Sequence, residues 1–384
     1  MRGDILNNQI KKGITMTSEE MNFSEMTEKV KAALAGVAAG TGATMLPTET
    51  AEEIIGIVYE RNFMRSLFPA MPMARRIMKI PKLTGSVSFH QQTLSMAESG
   101  TSAGESRNST GEIELELKTM IANIPIGNYL IAYGVEGLLA VLRDDIASQL
   151  ATNEQSLFIN GDTATGNSFA DNINGPHATT GAELNLTGVS GTVNDYLLLF
   201  DGLRAASLKA GRGGKTVNAT VGNAAQAFTL AHMRSAIAEL GVYADNRDDL
   251  AMIVPRNLEV QLLGLTELQT VDKYGAGATI LSGELGRIYG IRVFATGVIP
   301  TNMNHTGKFA LSSVANSVRN ATVALLLHIR SPIIGNPTVA ERRFSIGFHD
   351  EPTKDRFVLI PKQDVAFGVR YDEALCTIHG LATL

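Results

Sequence analysis

The chain has 384 residues, of which 44% are hydrophobic and 18% charged, and a formal net charge of -5. This composition excludes a disordered chain and gives length enough for two packed units or one elaborated domain. The acidic balance argues against a protein that grips nucleic acid through its phosphates.

The only cysteine is Cys376, so a disulfide framework and a cysteine-based zinc site within one chain are both excluded. Apolar runs such as ATVALLLHI (321–329) are too short to span a bilayer, and the N-terminal MRGDILNNQIKKGITM lacks the apolar core of a signal peptide. The expectation is a soluble protein made in the cytoplasm.

Residues 1–46 are polar, then small and glycine-rich, and read as an extended arm. Next, LPTETAEEIIGIVYERNFMRSLF places Pro47 and Thr48 at a helix start, with Ile54, Ile55, Val58, Phe63 and Leu67 on an apolar stripe. The spacing predicts an amphipathic helix over 47–67.

Strict alternation then sets Ile113, Leu115 and Leu117 against Glu112, Glu114 and Glu116 in GEIELELKTM. The upstream stretch GSVSFHQQ alternates Val87 and Phe89 with Ser86, Ser88 and His90, and the polar SMAESGTSAGESRNSTG lies between the two. Together they predict a long hairpin, which as an isolated ribbon is marginal in water and needs another surface to lie on.

From Val135 the period becomes helical, with Val135, Leu138, Leu139, Leu142, Ile146, Leu150 and Leu157 on one stripe. The predicted helix is about 35 to 40 Å long, and Gly161 stands where a left-handed cap is expected. The tract that follows, SLFINGDTATGNSFADNINGPHATT, reads as turn chemistry between two parts of the molecule.

Residues 189–333 alternate helix and strand and read as one mixed α/β domain. NDYLLLFDGLRAASLKAG predicts a helix capped by Asn194, TLAHMRSAIAELG another, and LAMIVPRNLEVQLLGL a strand followed by a helix at Pro255. Strands are expected at GIRVFATGV, KFAL and ATVALLLHI. The tail RRFSIGFHD, DRFVLIP, DVAFGVRY and LCTIHG is a run of strands whose partners must come from earlier in the chain.

The chemical motifs fail on context. An EF-hand register through Gly175 puts Ala170 and Gly181 at ligand positions. KAGRGGKT has Lys209 where a phosphate loop begins with glycine, and it follows a helix; YGAGATILSG has Ile280 at the last glycine of a dinucleotide fingerprint. GTSAG (100–104) matches a nucleophile elbow, but Ser102 has neither a strand before it nor a helix after it. The seven histidines show no metal spacing, with His328 and His379 expected as hydrogen-bonded core or interface groups, and Asp144 and Asp145 diverge by about 100° on a helix. No catalytic, cofactor or metal residue is assigned.

The order of parts carries more information than any motif: arm, short helix, long hairpin, long helix, glycine-rich junction, α/β domain, returning strands. This order resembles the tailed-bacteriophage major capsid protein family, with the Hong Kong 97 fold. LPTETAEEIIGIVYERNFMRSLFPAMPM is similar to the family's helix after the N-terminal arm, the segment from GSVSFHQQ to IPIGNYLI to its extended loop, and NEQSLFINGDTATGN to the end of its spine helix.

The resemblance implies an α+β fold with an N-terminal arm (1–46), a peripheral domain containing the spine (47–73, 126–188 and 334–384), an extended β-hairpin loop (74–125) and an axial domain (189–333). It implies a non-enzymatic homo-oligomer of pentamers and hexamers, forming an icosahedral head around double-stranded DNA that it does not read by sequence. Scaffolding, portal and decoration proteins are the implied partners, with no membrane and no cofactor, and the implied location is the virion after assembly in the host bacterial cytoplasm. Intersubunit contacts are expected at Glu98, Glu105, Arg107, Glu112, Glu114, Glu116, Arg143, Asp144 and Asp145. Some members link subunits through a loop lysine, whereas none occurs here between Leu83 and Leu117. An encapsulin-type compartment shares the architecture, and a soluble α/β serine hydrolase is the alternative from another class.

Overall fold

The computed structural model describes residues 62–83, 85, 89, 91, 109–128, 138–164, 172–174, 196–265, 287–309 and 320–383. The expected arm (1–46), most of the expected 47–67 helix and the hairpin tip lie outside these residues. The chain divides into two units: a smaller one from Met1–Ile54, Ile121–Ile146 and Ser345–Lys362, and a larger one from Ile55–Met120, Ala147–Phe344 and Gln363–Leu384.

In chain order the described elements are α1 (Phe63–Leu67), β1 (Ala70–Met73), β2 (Ile77–Leu83), β3 (Thr110–Glu116), β4 (Lys118–Ile121), β5 (Ile124–Gly127), α2 (Leu138–Asn160), α3 (Leu203–Leu208), β6 (Lys215–Asn218), α4 (Leu230–Leu240), β7 (Leu250–Pro255) and α5 (Arg256–Leu263). They continue with β8 (Arg287–Ile288), β9 (Ile291–Thr296), β10 (Ala321–His328), β11 (Pro332–Pro337), α6 (Ala340–Arg343), β12 (Ser345–Glu351), β13 (Arg356–Val369) and β14 (Leu375–Ala382). No helix among the described residues is long and apolar enough to cross a membrane.

In the smaller unit, the first half of β13 pairs antiparallel with β12 on one side and β5 on the other. The expected strands DRFVLIP and DVAFGVRY are one continuous strand, since Pro361 and Lys362 keep their places in the ladder opposite Ile346 and Ser345.

The larger unit is built on a six-stranded sheet in the order β6-β14-β10-β7-β9-β8. Its central strands are apolar along both faces, and period-two geometry sends alternate residues to different cores. Ala251 and Ile253 of β7, with Val323, Leu325 and Leu327 of β10, join one core with Leu157, Phe158 and Ile159 of α2 and Leu203 of α3. Met252, Val254, Ala324 and Leu326 face the other way, against Met233, Ala236 and Leu240 of α4 and Leu258 and Leu262 of α5. A second sheet in this unit pairs β1 with β11 in parallel and β11 with the end of β13.

The last strand corrects the expected domain boundary. β14, assigned by sequence to a peripheral tail of 334–384, is an inner strand of the α/β sheet, parallel to β6 and antiparallel to β10. Cys376 and Ile378 enter the helix-covered core there, and burial pushes the Cys376 thiol up to about 12. β6 itself, KTVN, is a short edge strand, exposed at Lys215, Thr216 and Asn218.

Local chemistry moves three other expected features. Asn62 has extended backbone and its side chain accepts from the Met64 N–H, so α1 starts at Phe63 and is not the end of an uninterrupted 47–67 helix. Gly161 is not in the left-handed region. It is glycine because a Cβ would lie 2.4 Å from the Phe200 carbonyl oxygen and 2.6 Å from that of Leu157. The Gly202 N–H donates to Gly161 O at 2.8 Å, and this close approach splits the expected 194–211 helix into a single turn at Tyr196–Leu198 and α3, with Asn194 outside the described residues.

The end of α2 is buried on every side, including the polar residues Glu154, Gln155, Ser156 and Asn160. Glu154 accepts from Arg65 Nε at 2.7 Å and from Asn62 Nδ2 at 2.7 Å, forms an ion pair with Arg65 Nη2, and receives Gln363 Nε2 at 3.3 Å. Glu154→Ala removes the buried carboxylate to which Arg65, Asn62 and Gln363 all donate. It should lower the unfolding free energy by about 3 to 5 kcal/mol in urea melts, with Glu154→Leu plus Arg65→Met recovering most of that loss.

Candidate functional site: the hairpin and its seat

The hairpin strands β2 and β3 pair antiparallel from Ile77↔Glu116 to Leu83↔Thr110, and the Gly85 N–H donating to Ser109 O at 3.2 Å continues the ladder. This corrects the expected partner: IMKIPKL stands opposite TGEIELE, and GSVSFHQQ does not. Met78 and Ile80 face Leu115 and Ile113, so IMKIPKL alternates in phase with its partner. Pro81 obscures that pattern and is tolerated because β2 is an edge strand.

The inward face is apolar and seated. Ile80 and Leu115 are buried with Met73 of β1, Ile333 of β11 and Ala366 of β13, with Met78 and Ile113 packed against them. Gly368 is part of this seat, because a Cβ there would stand 2.6 Å from Leu115 Cδ2. Arg370 Nη2 donates to Pro81 O at 2.8 Å, and the Leu117 N–H donates to Arg76 O at 2.8 Å.

The outward face carries the charges. Lys79 Nζ meets Glu112 Oε1 at 2.5 Å, Arg76 Nη2 meets Glu116 Oε1 at 2.9 Å, and Lys118 Nζ lies 3.9 Å from Glu116 Oε2. The bond to Glu112, its charge and that of Glu114 raise the Lys79 pKa. Beside these pairs Ile77 and Leu83 are 47% and 58% exposed. The structure therefore brings Glu112, Glu114 and Glu116 together and gives them cationic neighbours in their own chain, which the sequence reading passed over.

Of the other expected contact residues, Glu98, Glu105 and Arg107 lie outside the described residues, as does the GTSAG stretch. Asp144 and Asp145 are exposed on α2, and Arg143 lies on the same helix. Gly368 and Arg370 were missed by sequence reasoning, since only the close approach of Leu115 and Pro81 reveals them.

The junction after α2 is a buried polar node. Asp162 accepts from the Ile173 N–H at 2.7 Å and the Ala164 N–H at 3.0 Å, and forms an ion pair with Lys209 at 3.0 Å. Arg204, fully buried, donates to Asn160 Oδ1 at 2.9 Å, Asn174 Oδ1 at 3.2 Å and Gly307 O at 2.8 Å. Burial lowers its pKa to about 10 against the opposing pull of Asp162, so it remains a cation at neutral pH. Lys209, which also contacts Asp201, is spoken for by carboxylates and not poised for a phosphate. His379 hydrogen-bonds His305 O at 2.9 Å, and burial lowers its pKa; His328 Nδ1 accepts from the Arg330 N–H at 3.3 Å. Among the described residues no cluster of His, Cys, Asp and Glu could hold a metal ion.

The model of the phage capsid family matches residues 42–251. The major capsid protein of Klebsiella oxytoca phage phiKO2 is 26% identical over 146 residues, covering 38% of this chain and 32% of that protein, so the match spans about a third of the relative's length. A solved structure from Microbacterium phage Oxtober96 is similar with a TM-score of 0.51 at 13% identity, over 91% of this chain and 98% of that one. The asymmetric unit of the bacteriophage PhiM1 mature capsid gives 0.50 at 11% identity, over 83% and 86% of the two chains.

Gly368→Val should lift Leu115 from its seat and cost about 1 to 3 kcal/mol by overpacking. Hydrogen exchange should rise in β2 and β3 while β7 and β10 stay protected, and Leu115→Ala in the same chain should restore part of the protection.

Proposed function

The chain belongs to the phage capsid family and has the Hong Kong 97-type fold, and from that premise we propose that it is a major capsid protein, self-assembling into the icosahedral head of a tailed phage. The observation that carries this reading is the family match over residues 42–251, which takes in the hairpin, all of α2 and the α/β body as far as β7. Its activity is assembly and not catalysis: pentamers and hexamers of one chain enclose double-stranded DNA without reading its sequence. Scaffolding, portal and decoration proteins are its further partners, and it resides in the virion after assembly in the host bacterial cytoplasm.

The geometry supports the same reading. A two-stranded ribbon with one seated apolar face and one face of mixed charges, exposed Ile77 and exposed Leu83 offers a neighbour both apolar area and ion pairs. Each exposed pair contributes only about 0.2 to 1 kcal/mol, so such a contact gains strength by repetition around a closed shell. In this proposal Glu98, Glu105, Arg107, Glu112, Glu114 and Glu116 of the loop, with Arg143, Asp144 and Asp145 of the spine, meet neighbouring subunits. The 189–333 body with β14 inserted serves as the axial domain.

Negative-stain microscopy of the purified protein, alone and co-expressed with the neighbouring genes of its genome, should show closed shells or capsomers. A monodisperse monomer under every condition would overturn the proposal.

Cohesion without covalent links follows from where the amines stand. The candidate amines, Lys82 of β2 and Lys118 of β4, both stand at the base of the hairpin, and Lys118 Nζ donates to Leu199 O at 2.6 Å within its own chain. An isopeptide bond needs a free amine held against a carboxamide in a preorganised site. Mature particles boiled in detergent should therefore release one band near 41.0 kDa, with no ladder of multimers.

A further inference from the structure

The corner where β8 turns into β9 breaks three local rules at once. Arg287 and Arg292 stand directly opposite each other in the ladder, where like charges repel. The two residues of the turn, Tyr289 and Gly290, both have positive φ, at 52° and 83°. Asparagine followed by glycine is the favoured pair there, and a bulky tyrosine is strained. Tyr289 is nevertheless 37% exposed, so core packing does not offset that strain. Finally, Arg292 Nε is buried without a hydrogen-bond partner. The carboxylates of the corner are engaged elsewhere, Asp248 by Arg287 at 2.7 Å and Asp249 by Arg330 at 3.5 Å. Arg247 lies against Gly290 and donates to Tyr289 O at 3.1 Å, which braces the turn.

A matching set of conflicts stands at the end of α4. Glu239 is exposed in the last turn of the helix, where the negative end of the dipole disfavours a carboxylate. Among the described residues no cation pairs with it. Three residues on, Val242 is 80% exposed.

One copy cannot bring these two sets together. Ile288 and Ile291 enter the core that α4 covers, so Arg287 and Arg292 project to the opposite face of the sheet, the face to which Phe294 also points.

We propose, on the reading of the chain as a shell subunit, that the β8–β9 corner receives the α4 end of a second copy, with Glu239 held between Arg287 and Arg292 and Val242 against the Tyr289 ring. Each local conflict is then answered by the other copy. The carboxylate separates the two guanidiniums and accepts from both, and the exposed aliphatic and aromatic groups cover each other. Tyrosine and arginine are the side chains that most often dominate such contacts. A phosphate backbone fits less well, because Asp248 and Asp249 stand in the same corner and repel it. The two surfaces differ and lie on opposite faces of one sheet, so the contact runs head to tail, as a closed ring of copies requires.

Assembly of the full-length protein, followed by sedimentation and negative-stain microscopy, tests the contact, with thermal melting as a separate reading of the fold. Arg292→Glu and Glu239→Arg should each raise the concentration needed for assembly about tenfold, since like charges then face each other between copies. The double variant should restore assembly, because every copy offers the reversed pair. Arg292→Glu also removes the repulsion with Arg287, so it should melt no lower than the parent. Tyr289→Asn should raise the melting temperature and still weaken assembly, which a residue serving only the fold would not do. If a reversed variant does not fold, Arg292→Cys with Glu239→Cys takes its place. A short bis-maleimide should then join copies into a ladder, since Cys376 is buried and does not compete. A parent protein that never assembles sinks the shell reading and this contact with it. A parent that assembles while the single reversals assemble equally well, a double reversal no better than the singles, or the absence of a ladder would overturn this contact alone.

Discussion

A helix buried on all sides cannot leave a polar group unanswered, and the end of α2 carries two that the rest of the larger unit is arranged to satisfy. Glu154 draws in Asn62 and Arg65 from around α1 and Gln363 from β13. Six residues on, Asn160 draws in Arg204 of α3 and Asn174 of the junction. An unpaired charge at that depth costs several kcal/mol, more than any single apolar contact nearby returns, so these bonds fix which segments surround the helix. The apolar residues between them, Leu157, Phe158 and Ile159, then pack where the polar bonds have placed them, with Phe158 stacked on Phe367 at 4.8 Å.

The same unit cannot be completed by local folding. β14 lies between β6 and β10, so the α/β sheet receives an inner strand from the last residues of the described chain. Pairings of such sequence separation carry a large loop-closure cost before they return any stability, and they make folding slow. Both faces of the sheet are covered, which is what lets LAMIVP be apolar throughout and ATVALLLH be apolar at all but Thr322 and His328.

The hairpin follows a different logic. Two strands alone are marginal in water, and β2–β3 is supported because its inner face rests on Ala366, Gly368 and Ile333 while Arg370 holds the Pro81 carbonyl. Its outer face pairs charges across the strands, which keeps the ribbon soluble and still leaves Ile77 and Leu83 uncovered. A firmly seated base with a partly apolar outer face suits the proposed capsid subunit, which would present the same surface many times with little variation in angle.

Much of this was legible in the sequence wherever periodicity is strong and the partner is water or a generic core. The alternation of GEIELELK, the long stripe of α2, the capped TLAHMRSAIAELG helix and the apolar runs of β7, β9 and β10 all name their own structure, and the order of these parts suffices for the family. What the sequence did not show depends on partners distant along the chain. Neither the pairing of IMKIPKL with TGEIELE nor the place of LCTIHG inside the α/β sheet follows from composition, because many short apolar strands satisfy the same pattern and only mutual burial selects among them. Gly161 looked like a cap and is in fact a point of backbone contact with Gly202. Nothing in the sequence marks Arg204 for burial against Asn160 and Asn174 or Arg212 for its place between Asp201 and Asp372, because a charge is specified by what stands within a few ångströms of it, and only the tertiary structure decides that distance.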